Sequence, residues 1–594
     1  MMDRNTVLAI VLSAAVLLLW MALFPQQPPH PTPEPPGAAQ PASTDKTGTS
    51  STPPPGASRT PGPGDSTPSL SALGGVAGPP AAVPDVPPGK RLEAAAEEEI
   101  AIDTPLVAIH LTNRGARVTS WQLKKYLDDA GHPLELVSRA GRSLDHLPLQ
   151  FLLDDPDATD RLKKALFRVS RREGQEDGHD FTEIALAWSD GQGLAATKTL
   201  RVRRDSYLAD LKFAAEAGGK GIEPTLVWGA GFGAHNGQES GRYADTSWGV
   251  FDSPGLKSPQ KRPQASLKPG QPWLEEGAVA WAGVEDKYFA AVFVPPGPEP
   301  RRGSARFELL RLVEDGVEQF HLSMAIGVPG DSEMRLFVGP KDYDILKGLG
   351  IGLDRLLDFG FFGVVALPLF YAMKVLQRYI GNYGWAIVLL TVVFRVLFFP
   401  LLYRGQIKMR VMQEKMKRVQ PKVKAMRERY HRLEKKEAER GNVGARQKLR
   451  QEMNEELMKL YKEEDINPLG SMSGCLPLLL QLPILYAFYT ILSISIELRH
   501  APFMLWIKDL SQKDPYYVTP IIMGATQLVQ QVMTSSSIPD PAQRRMMYLM
   551  PIMFTYIFLN FPSGLVLYWL VNNLLGIAQQ YLINRQAVND KAAA

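Results

Sequence analysis

Five long apolar segments follow one another in the last third of the chain, and they constrain its fold more than any other feature. They cover residues 385–403, 475–496, 518–533, 546–561 and 565–583. Helical segments of about this length reach across a hydrocarbon core of about 30 Å. Because lipid cannot satisfy free backbone N–H and C=O groups, the pattern predicts a polytopic α-helical membrane protein.

A further apolar run, residues 7–24, is preceded only by the charges of Asp3 and Arg4. Its length, its weak positive flank and the lack of a small-x-small motif favour an uncleaved transmembrane anchor, residues 1–24, over a cleaved signal peptide. Residues 25–89 are dominated by Pro, Gly, Ser, Thr and Ala. A segment of this composition has too little apolar surface to fold, so we expect a disordered Pro-rich tether.

Residues 90–345 are predicted to form a soluble, mostly β region. Apolar and polar residues alternate in 99–103, 106–111, 182–188 and 307–312, with Gly, Pro and Asp between these runs. Such short alternating strands predict a large β-sandwich. The histidines of this region have no metal-ligand spacing, and the single cysteine, Cys475, excludes an intrachain disulfide. We therefore expect no metal and no cofactor.

The distribution of Lys and Arg predicts the orientation in the membrane. Residues 404–465 contain 19 Lys and Arg against 11 Asp and Glu. Heptad-like apolar positions and a glycine-containing breaker at residues 441–444 predict a helical hairpin over residues 404–466, which the positive-inside rule assigns to the cytoplasm. The N-terminus is then cytoplasmic and the β region extracytoplasmic. Residues 346–382 are predicted to form an amphipathic helix in the outer interface, since another span would invert everything downstream.

Arg395 interrupts an otherwise apolar span, nine residues before Arg404 and so roughly 13 Å from the cytoplasmic end. An arginine at the centre of a span costs about 2.5–3.5 kcal/mol on insertion-based scales. The five segments contain no Asp or Glu to pair with it. Its side chain either snorkels to the surface or lies in a hydrated cavity that receives a transient anionic partner. The amides in the spans, among them Gln481 and Gln527, favour the cavity because buried amides need partners.

Three other classes of protein are compatible with a polytopic chain. A transporter or channel would have a pathway open on both sides and often an internal repeat, and the spans show no repeat. An intramembrane enzyme would need a nucleophile with a base, or paired carboxylates, and the spans contain neither. A structural envelope scaffold would explain the β region but not Arg395.

Several motifs occur together between about residues 340 and 585. They are Phe399-Pro-Leu, Asn467-Pro-Leu-Gly, Gly474-Cys-Leu-Pro-Leu-Leu-Leu-Gln-Leu-Pro-Ile, Ala501-Pro-Phe-Met-Leu-Trp-Ile-Lys-Asp-Leu-Ser, Asp514-Pro-Tyr-Tyr and Phe561-Pro-Ser-Gly-Leu-Val-Leu-Tyr-Trp. In combination they resemble the YidC/Oxa/Alb family of membrane protein insertases, in its Gram-negative YidC form with a large periplasmic domain. Residues 471–473 and a long hairpin tip, about residues 431–450, depart from the family pattern.

The resemblance implies a core of five transmembrane helices, residues 383–403, 467–497, 518–534, 546–561 and 564–584, which with the N-terminal anchor makes six. It also implies a hydrophilic groove that is open to the cytoplasm and to lipid and closed on the far side. The groove residues would be Arg395, Thr391, Tyr568 and Trp569, together with the amides of Gln481 and Gln527. An apolar slide on the spans at residues 467–497 and 546–561 would be formed by Pro477, Leu478, Leu479, Leu482, Pro483, Ile552, Phe554, Ile557 and Phe558.

The implied function is insertion and folding of integral membrane proteins in the bacterial inner membrane. Insertion is driven by transfer of apolar surface, at about 0.8 kcal/mol per buried CH₂, so the protein is expected to be an insertase and chaperone rather than an enzyme. The expected partners are nascent membrane proteins, the lipid bilayer, the Sec translocon and the ribosome. The short C-terminal tail does not support a ribosome contact through the tail. A net charge of +4 gives no case for direct, sequence-specific nucleic-acid binding.

Overall fold

The structure, a computed structural model, describes residues 90–128, 130–218, 220–233, 245–252, 255–256, 260–296, 301–314, 316–329, 333–441, 443–464, 476–535 and 541–593. All of them belong to one compact unit, Pro80–Ala594. The predicted anchor, residues 1–24, and the predicted tether, residues 25–89, lie outside the described residues. The first part of the predicted span 467–497, residues 467–475, also lies outside the described residues.

The first part of the described chain is built from antiparallel strands. The strands are β1 (Arg91–Leu92), β2 (Glu99–Asp103), β3 (Val107–Thr112), β4 (Arg117–Leu127), β5 (Pro133–Glu135), β6 (Gln150–Leu152), β7 (Arg168–Glu176), β8 (His179–Asp190), β9 (Ala195–Arg203), β10 (Leu208–Ala217), β11 (Lys220–Ile222), β12 (Thr225–Trp228), β13 (Asp245–Asp252), β14 (Gly255–Leu256), β15 (Gln260–Pro263), β16 (Trp273–Glu285), β17 (Phe289–Val294), β18 (Arg301–Glu314), β19 (Val317–Gly327) and β20 (Glu333–Pro340). Within the described residues they form one sheet of 16 strands and one of four, β2-β3-β4-β5. The long path of the large sheet runs β1-β8-β9-β10-β20-β17-β16-β18-β19-β12-β6.

The alternation in the sequence explains how these strands pack. In β2 the residues Ile100 and Ile102 are buried while the residues between and beside them are exposed. Three tryptophans, Trp121, Trp228 and Trp281, are fully buried and belong to the same hydrophobic core. The prediction of a large β domain is therefore confirmed, and its strands are antiparallel, whereas its arrangement as a sandwich stays a prediction.

Two short helices interrupt the strands, α1 (Arg139–Ser143) and α2 (Pro156–Lys164). The helices that follow the β domain are α3 (Tyr343–Gly348), α4 (Gly363–Ile380), α5 (Tyr383–Glu439), α6 (Val443–Glu463), α7 (Leu476–Ile494), α8 (Val518–Ser535), α9 (Pro541–Phe558) and α10 (Ser563–Ala593). Among the described residues, Tyr383–Pro400 is the one helical stretch that is long and apolar enough to cross a membrane. Two shorter apolar stretches are Gln481–Ile494 and Tyr548–Phe558. The predicted count of six spanning helices is thus not confirmed by the structure.

Helix α5 is unbroken over 57 residues, although the sequence changes from apolar to basic within it. Pro400 and Pro421 both lie inside the helix. The chain then reverses at Gly441, whose φ of 71° is in the left-handed region that glycine adopts without steric cost. Helix α6 returns along α5, so the two helices form a hairpin.

The remaining helices pack around α10. Helix α10 contacts α5, α7 and α8, and α9 packs on α8. The α8–α9 contact is close at Gly524, where an added Cβ would lie 1.9 Å from Thr555 Oγ1. This arrangement brings polar residues of α5, α7, α8 and α10 into one interior.

Candidate functional site

Arg395 lies on the apolar stretch of α5 and points toward α10. Its Nη2 donates a hydrogen bond to the backbone oxygen of Asn572, at 3.0 Å. Its Nε is buried and has no hydrogen-bond partner among the described residues. A guanidinium has five N–H donors, so the backbone contact leaves capacity for an anionic acceptor.

Amide side chains line the same interior. Gln481 of α7 donates from Nε2 to the hydroxyl of Tyr568 on α10, at 3.5 Å. The Oε1 of Gln527 on α8 is buried without a hydrogen-bond partner in the part of the chain that the structure describes. Asn573 of α10 donates from Nδ2 to the backbone oxygen of Met523, at 3.2 Å. These amides form a polar seam between helices whose other faces are apolar.

Tyr568 and Trp569 belong to the interior of the bundle, with 3% and 5% of their surface exposed. The Tyr568 ring stacks on Phe488 of α7, with centroids 4.5 Å apart. Trp569 contacts Phe554 and Phe558 of α9, with centroids 5.8 and 5.4 Å apart. The pair therefore forms an aromatic wall between α7 and α9.

Thr391, predicted as the polar neighbour of Arg395, is placed one turn before it on α5 and is only 1% exposed. Its hydroxyl donates to the backbone oxygen of Ile387 in its own helix, at 2.7 Å. Thr391 thus borders the interior, but its hydroxyl hydrogen is used within α5.

The residues predicted for the apolar slide are found in three environments. On α7, Leu482 and Pro483 are half-buried. On α9, Ile552 and Ile557 are 63% and 44% exposed, whereas Phe554 and Phe558 turn inward against Trp569. The side chains of Pro477, Leu478 and Leu479 lie outside the described residues. The exposed apolar face of α9 also includes Leu549, Met553 and Tyr556.

The loop between α7 and α8 is organised by Asp514, a buried carboxylate with no exposed surface. Its oxygens accept hydrogen bonds from Trp506 Nε1 at 3.1 Å, from the backbone N–H of Tyr516 at 2.9 Å and from both the N–H and the hydroxyl of Thr519 at 2.7 Å. We did not predict a role for this residue from the sequence. The available signal was an Asp-Pro pair just before a helix, a typical turn and capping position.

The same loop is fastened to the bundle on two sides. The backbone N–H of Ser563, at the start of α10, donates to the oxygen of Gln512 at 2.7 Å. The side chain of Asn382, which caps α5, donates to the backbone oxygen of Phe503 at 3.1 Å. These contacts cover the end of the bundle where α5 and α10 begin, opposite the α5–α6 hairpin.

Among the described residues, no group of three or more His, Cys, Asp or Glu side chains could hold a metal ion. What the site offers is a guanidinium, several amides and an aromatic wall.

Two family descriptions match the chain, "60Kd inner membrane protein" over residues 375–591 and "YidC periplasmic domain" over residues 99–372. The protein named Membrane protein insertase YidC from Geobacter metallireducens is 34% identical over 596 residues, which cover 98% of this chain and 98% of that relative. The chain belongs to the YidC membrane protein insertase family. The YidC insertase of Syntrophus aciditrophicus is also 34% identical, over 99% of this chain and 100% of the relative.

A solved structure of an active YidC insertase, with its first transmembrane domain resolved, is also similar to the chain. It is 16% identical, covers 83% of this chain and 95% of the solved one, and has a TM-score of 0.34. The YidC family consists of non-enzymatic insertases, and the resemblance inferred from the motifs is confirmed by the family matches. All of the predicted groove and slide residues lie in the segment that matches the 60Kd inner membrane protein.

Proposed function

We propose that this chain inserts integral membrane proteins into the bacterial inner membrane and assists their folding. The names of the relatives support the insertase role, and the description of the matching family supports the inner membrane. We further propose that α5, α7, α8 and α10 surround a hydrophilic groove, open to the cytoplasm and to lipid, that receives the client. The observation that carries the groove is Arg395, a guanidinium inside an apolar helix whose Nε has no partner among the described residues.

Arg395 acts by offering its N–H groups to a carboxylate on the client's translocated segment. The spans contain no acidic residue that would compete for it. In a hydrated groove walled by apolar helix faces, the effective dielectric constant is lower than that of bulk water, so the attraction between two opposite charges is stronger than in water. A short acidic segment is therefore held partway across the bilayer while its apolar neighbour is still moving.

The apolar segment of the client leaves along the exposed face of α9 and the adjoining face of α7. Ile552 and Ile557 present branched aliphatic side chains on this path, and Leu482 lies on the α7 side. Release into lipid is downhill by about 0.8 kcal/mol per CH₂ removed from water. Phe554 and Phe558 support the path from behind by packing on Trp569.

The proposed orientation places the α5–α6 hairpin in the cytoplasm and the β domain in the periplasm. The excess of 19 basic over 11 acidic residues in the hairpin segment supports it. Nascent membrane proteins are the proposed clients. The Sec translocon and the ribosome are proposed as partners on the strength of the family resemblance.

Reconstitution of the purified chain in liposomes tests this function. The client is a single-span protein with a short acidic translocated tail, compared with the same client carrying Asn and Gln in that tail. Arg395→Ala should lose insertion of the acidic client by roughly tenfold or more, the equivalent of about 1.4 kcal/mol in the barrier. Arg395→Lys should keep most of the activity, because a point charge suffices for a wet groove.

Arg585→Ala, at the exposed end of α10, is the matched control and should insert both clients normally. A bidentate structural role for Arg395 would instead make Lys as poor as Ala. A snorkelling arginine would make Arg395→Ala harmless with both clients, and the groove proposal would then be wrong.

A further inference from the structure

Gly576 lies at the point where the side chains from two other helices meet α10. A Cβ added to Gly576 would lie 3.0 Å from Arg395 Nη2 and 2.4 Å from Gln530 Nε2. The first side chain comes from α5 and the second from α8. The two nitrogen atoms are therefore within about 5.5 Å of one another, above the one position of this α10 turn that has no side chain.

The neighbouring turn of α10 explains why the guanidinium stays there. Asn572, whose backbone oxygen accepts the hydrogen bond from Arg395, precedes Gly576 by four residues, so both lie on the same face of the helix. The same nitrogen, Arg395 Nη2, therefore donates to the Asn572 carbonyl and lies beside Gly576, where no side chain blocks its approach to α10. Glycine is a poor helix former, so its presence here is not explained by helix propensity.

We propose that Gly576 is a positioning residue for client recognition. Its missing side chain lets the Arg395 guanidinium and the Gln530 amide approach α10 together, where both can donate hydrogen bonds to a single carboxylate of the client. Two N–H donors no farther apart than this can each donate to one oxygen of the same carboxylate, and the bond from the charged guanidinium is the stronger of the two. The inference rests on the proposed function, because it names a residue that sets the geometry of the same groove.

The atoms close to Gly576 differ from those close to Gly524, and the difference distinguishes a residue that positions side chains from one that lets two helices pack. The three atoms nearest to an added Cβ at Gly576 belong to the far ends of two flexible side chains, Gln530 and Arg395, so a methyl group there moves the side chains and not the backbone. Gly524 provides the contrast, because a methyl group there would lie 1.9 Å from the hydroxyl and 3.1 Å from the Cβ of Thr555. Threonine is branched at Cβ and cannot easily turn away, so the α8–α9 contact itself must move.

The test uses the full chain in liposomes with the acidic and the neutral client described above. Gly576→Ala should reduce insertion of the acidic client roughly tenfold, since a misplacement of about 1 Å can cost up to about a hundredfold at a positioned site. Insertion of the neutral client should stay as in the wild type, and the thermal unfolding temperature in detergent should not fall, because alanine is the better helix former. Gly524→Ala, the packing control, should lower the unfolding temperature and affect both clients alike.

A second variant tests the mechanism by rescue. Gln530→Ala removes the nitrogen nearest to the new methyl group but leaves the Arg395 donor, so alone it should lose less insertion of the acidic client than Gly576→Ala. The double variant Gly576→Ala, Gln530→Ala should recover to the level of Gln530→Ala alone. Two substitutions that act independently would instead add their losses.

The inference is overturned if Gly576→Ala inserts the acidic client normally, if it weakens both clients equally, or if the double variant shows no rescue. Arg395→Ala, measured in parallel, distinguishes the role of Gly576 from the existence of the groove. An acid-selective loss in Arg395→Ala without one in Gly576→Ala refutes only the role of Gly576, whereas no such loss in Arg395→Ala refutes the groove itself.

Discussion

The charge of Asp514 is set by its immediate surroundings in the loop between α7 and α8. Burial by itself would raise the pKa of this carboxyl, but hydrogen bonds from Thr519, Tyr516 and Trp506 outweigh burial and hold the pKa below its ordinary value. A carboxylate whose pKa is lowered by folding stabilises the fold at every pH above the pKa that it has in the unfolded chain, about 3.9. That contribution disappears as the pH falls through the lower, folded value.

We expect Asp514→Asn to destabilise the protein at neutral pH by about 1–3 kcal/mol, because the amide turns N–H donors toward the donors of the loop. Thermal unfolding in detergent measures the effect. The difference between wild type and variant should narrow as the pH falls below about 4, because the carboxyl of the unfolded chain is protonated there while that of the folded chain is still ionised. Asp160→Asn, an exposed position on α2, is the control and should change neither the unfolding temperature nor its pH dependence.

Single residues also show how far the sequence can predict a site. Arg395 was identifiable because it is a charge inside an apolar run. Lys198 is a second buried cation, which lies on the same face of β9 as Ala196 and Leu200. The contacts that satisfy these two cations were not identifiable. Lys198 donates to backbone oxygens of residues 116 and 149, and Arg395 to that of residue 572. Partners so far apart in sequence are fixed by packing, which a local pattern does not encode.

At the scale of elements, the change from apolar to basic residues and the end of the helix lie at different positions in the chain. The sequence predicts a span ending at residue 403 and a hairpin beginning at residue 404, whereas α5 continues through both. A change from apolar to basic residues marks where a membrane ends, but the helix has no reason to break there. Pro400 does not end it either, and Pro-containing helices persist where neighbouring contacts support them.

Helix α4 is joined to two other elements through Lys374. Its ammonium donates to Asp344 Oδ2 of α3 at 2.6 Å and to Glu497 Oε1, just after α7, at 3.1 Å. The Glu497 side chain is only 13% exposed. The amine therefore links the end of the β domain, the helix predicted to lie in the outer interface and the loop that covers the bundle.

Lys374→Met should lower stability by about 1–3 kcal/mol, because it removes the ammonium that donates to the largely buried carboxylate of Glu497. Differential scanning calorimetry of the detergent-solubilised protein should show the lost stability as a lower unfolding temperature. Lys508→Met, an exposed lysine of the neighbouring loop, should leave that temperature unchanged. Equal shifts for the two variants would mean that general charge, and not the Lys374 contacts, is being measured.

At the scale of the whole molecule, the proposed orientation rests on the basic hairpin and can be tested directly. Protease added to spheroplasts should cut the Pro-rich segment around residues 53–63 and leave the α5–α6 hairpin intact. Permeabilised cells serve as the control, in which the hairpin should also be cut. Cleavage of the hairpin in sealed spheroplasts would reverse the proposed orientation.

The large antiparallel domain was predictable because period-two alternation repeats along it. Its junction with the helices was not, since each contact joins distant segments. Arg499 lies over the ring of Phe289, 5.6 Å from its centroid. The buried carboxylate of Glu285 is paired with Lys261 and Lys341, both at 2.8 Å, and Lys261 also reaches a backbone oxygen just before α4. The Arg499–Phe289 contact and the hydrogen bond from Lys261 attach the β domain to the loop after α7 and to the segment before α4.

The position of the junction predicts what the β domain contributes. A chain in which Phe24 is joined directly to Asp342 loses Phe289 beneath Arg499, but it keeps Asp344 and the whole segment that contains Arg395 and Gly576. We therefore expect it to insert clients at close to the wild-type level per folded molecule, with a lower unfolding temperature. Both are measurable on the same liposome preparations after the folded fraction has been quantified.

The same shortened chain carrying Arg395→Ala is the matched control, and it should lose the acidic client as the full-length variant does. If the shortened chain folds yet inserts neither client, the β domain takes part in insertion itself. The contacts argue against this, because those between the β domain and the helices lie at the covered end of the bundle, where Asp514 and Lys374 already fasten the loop. Arg395 donates instead to Asn572 on α10, far from any β strand in sequence and on the side of the bundle that leads to the hairpin.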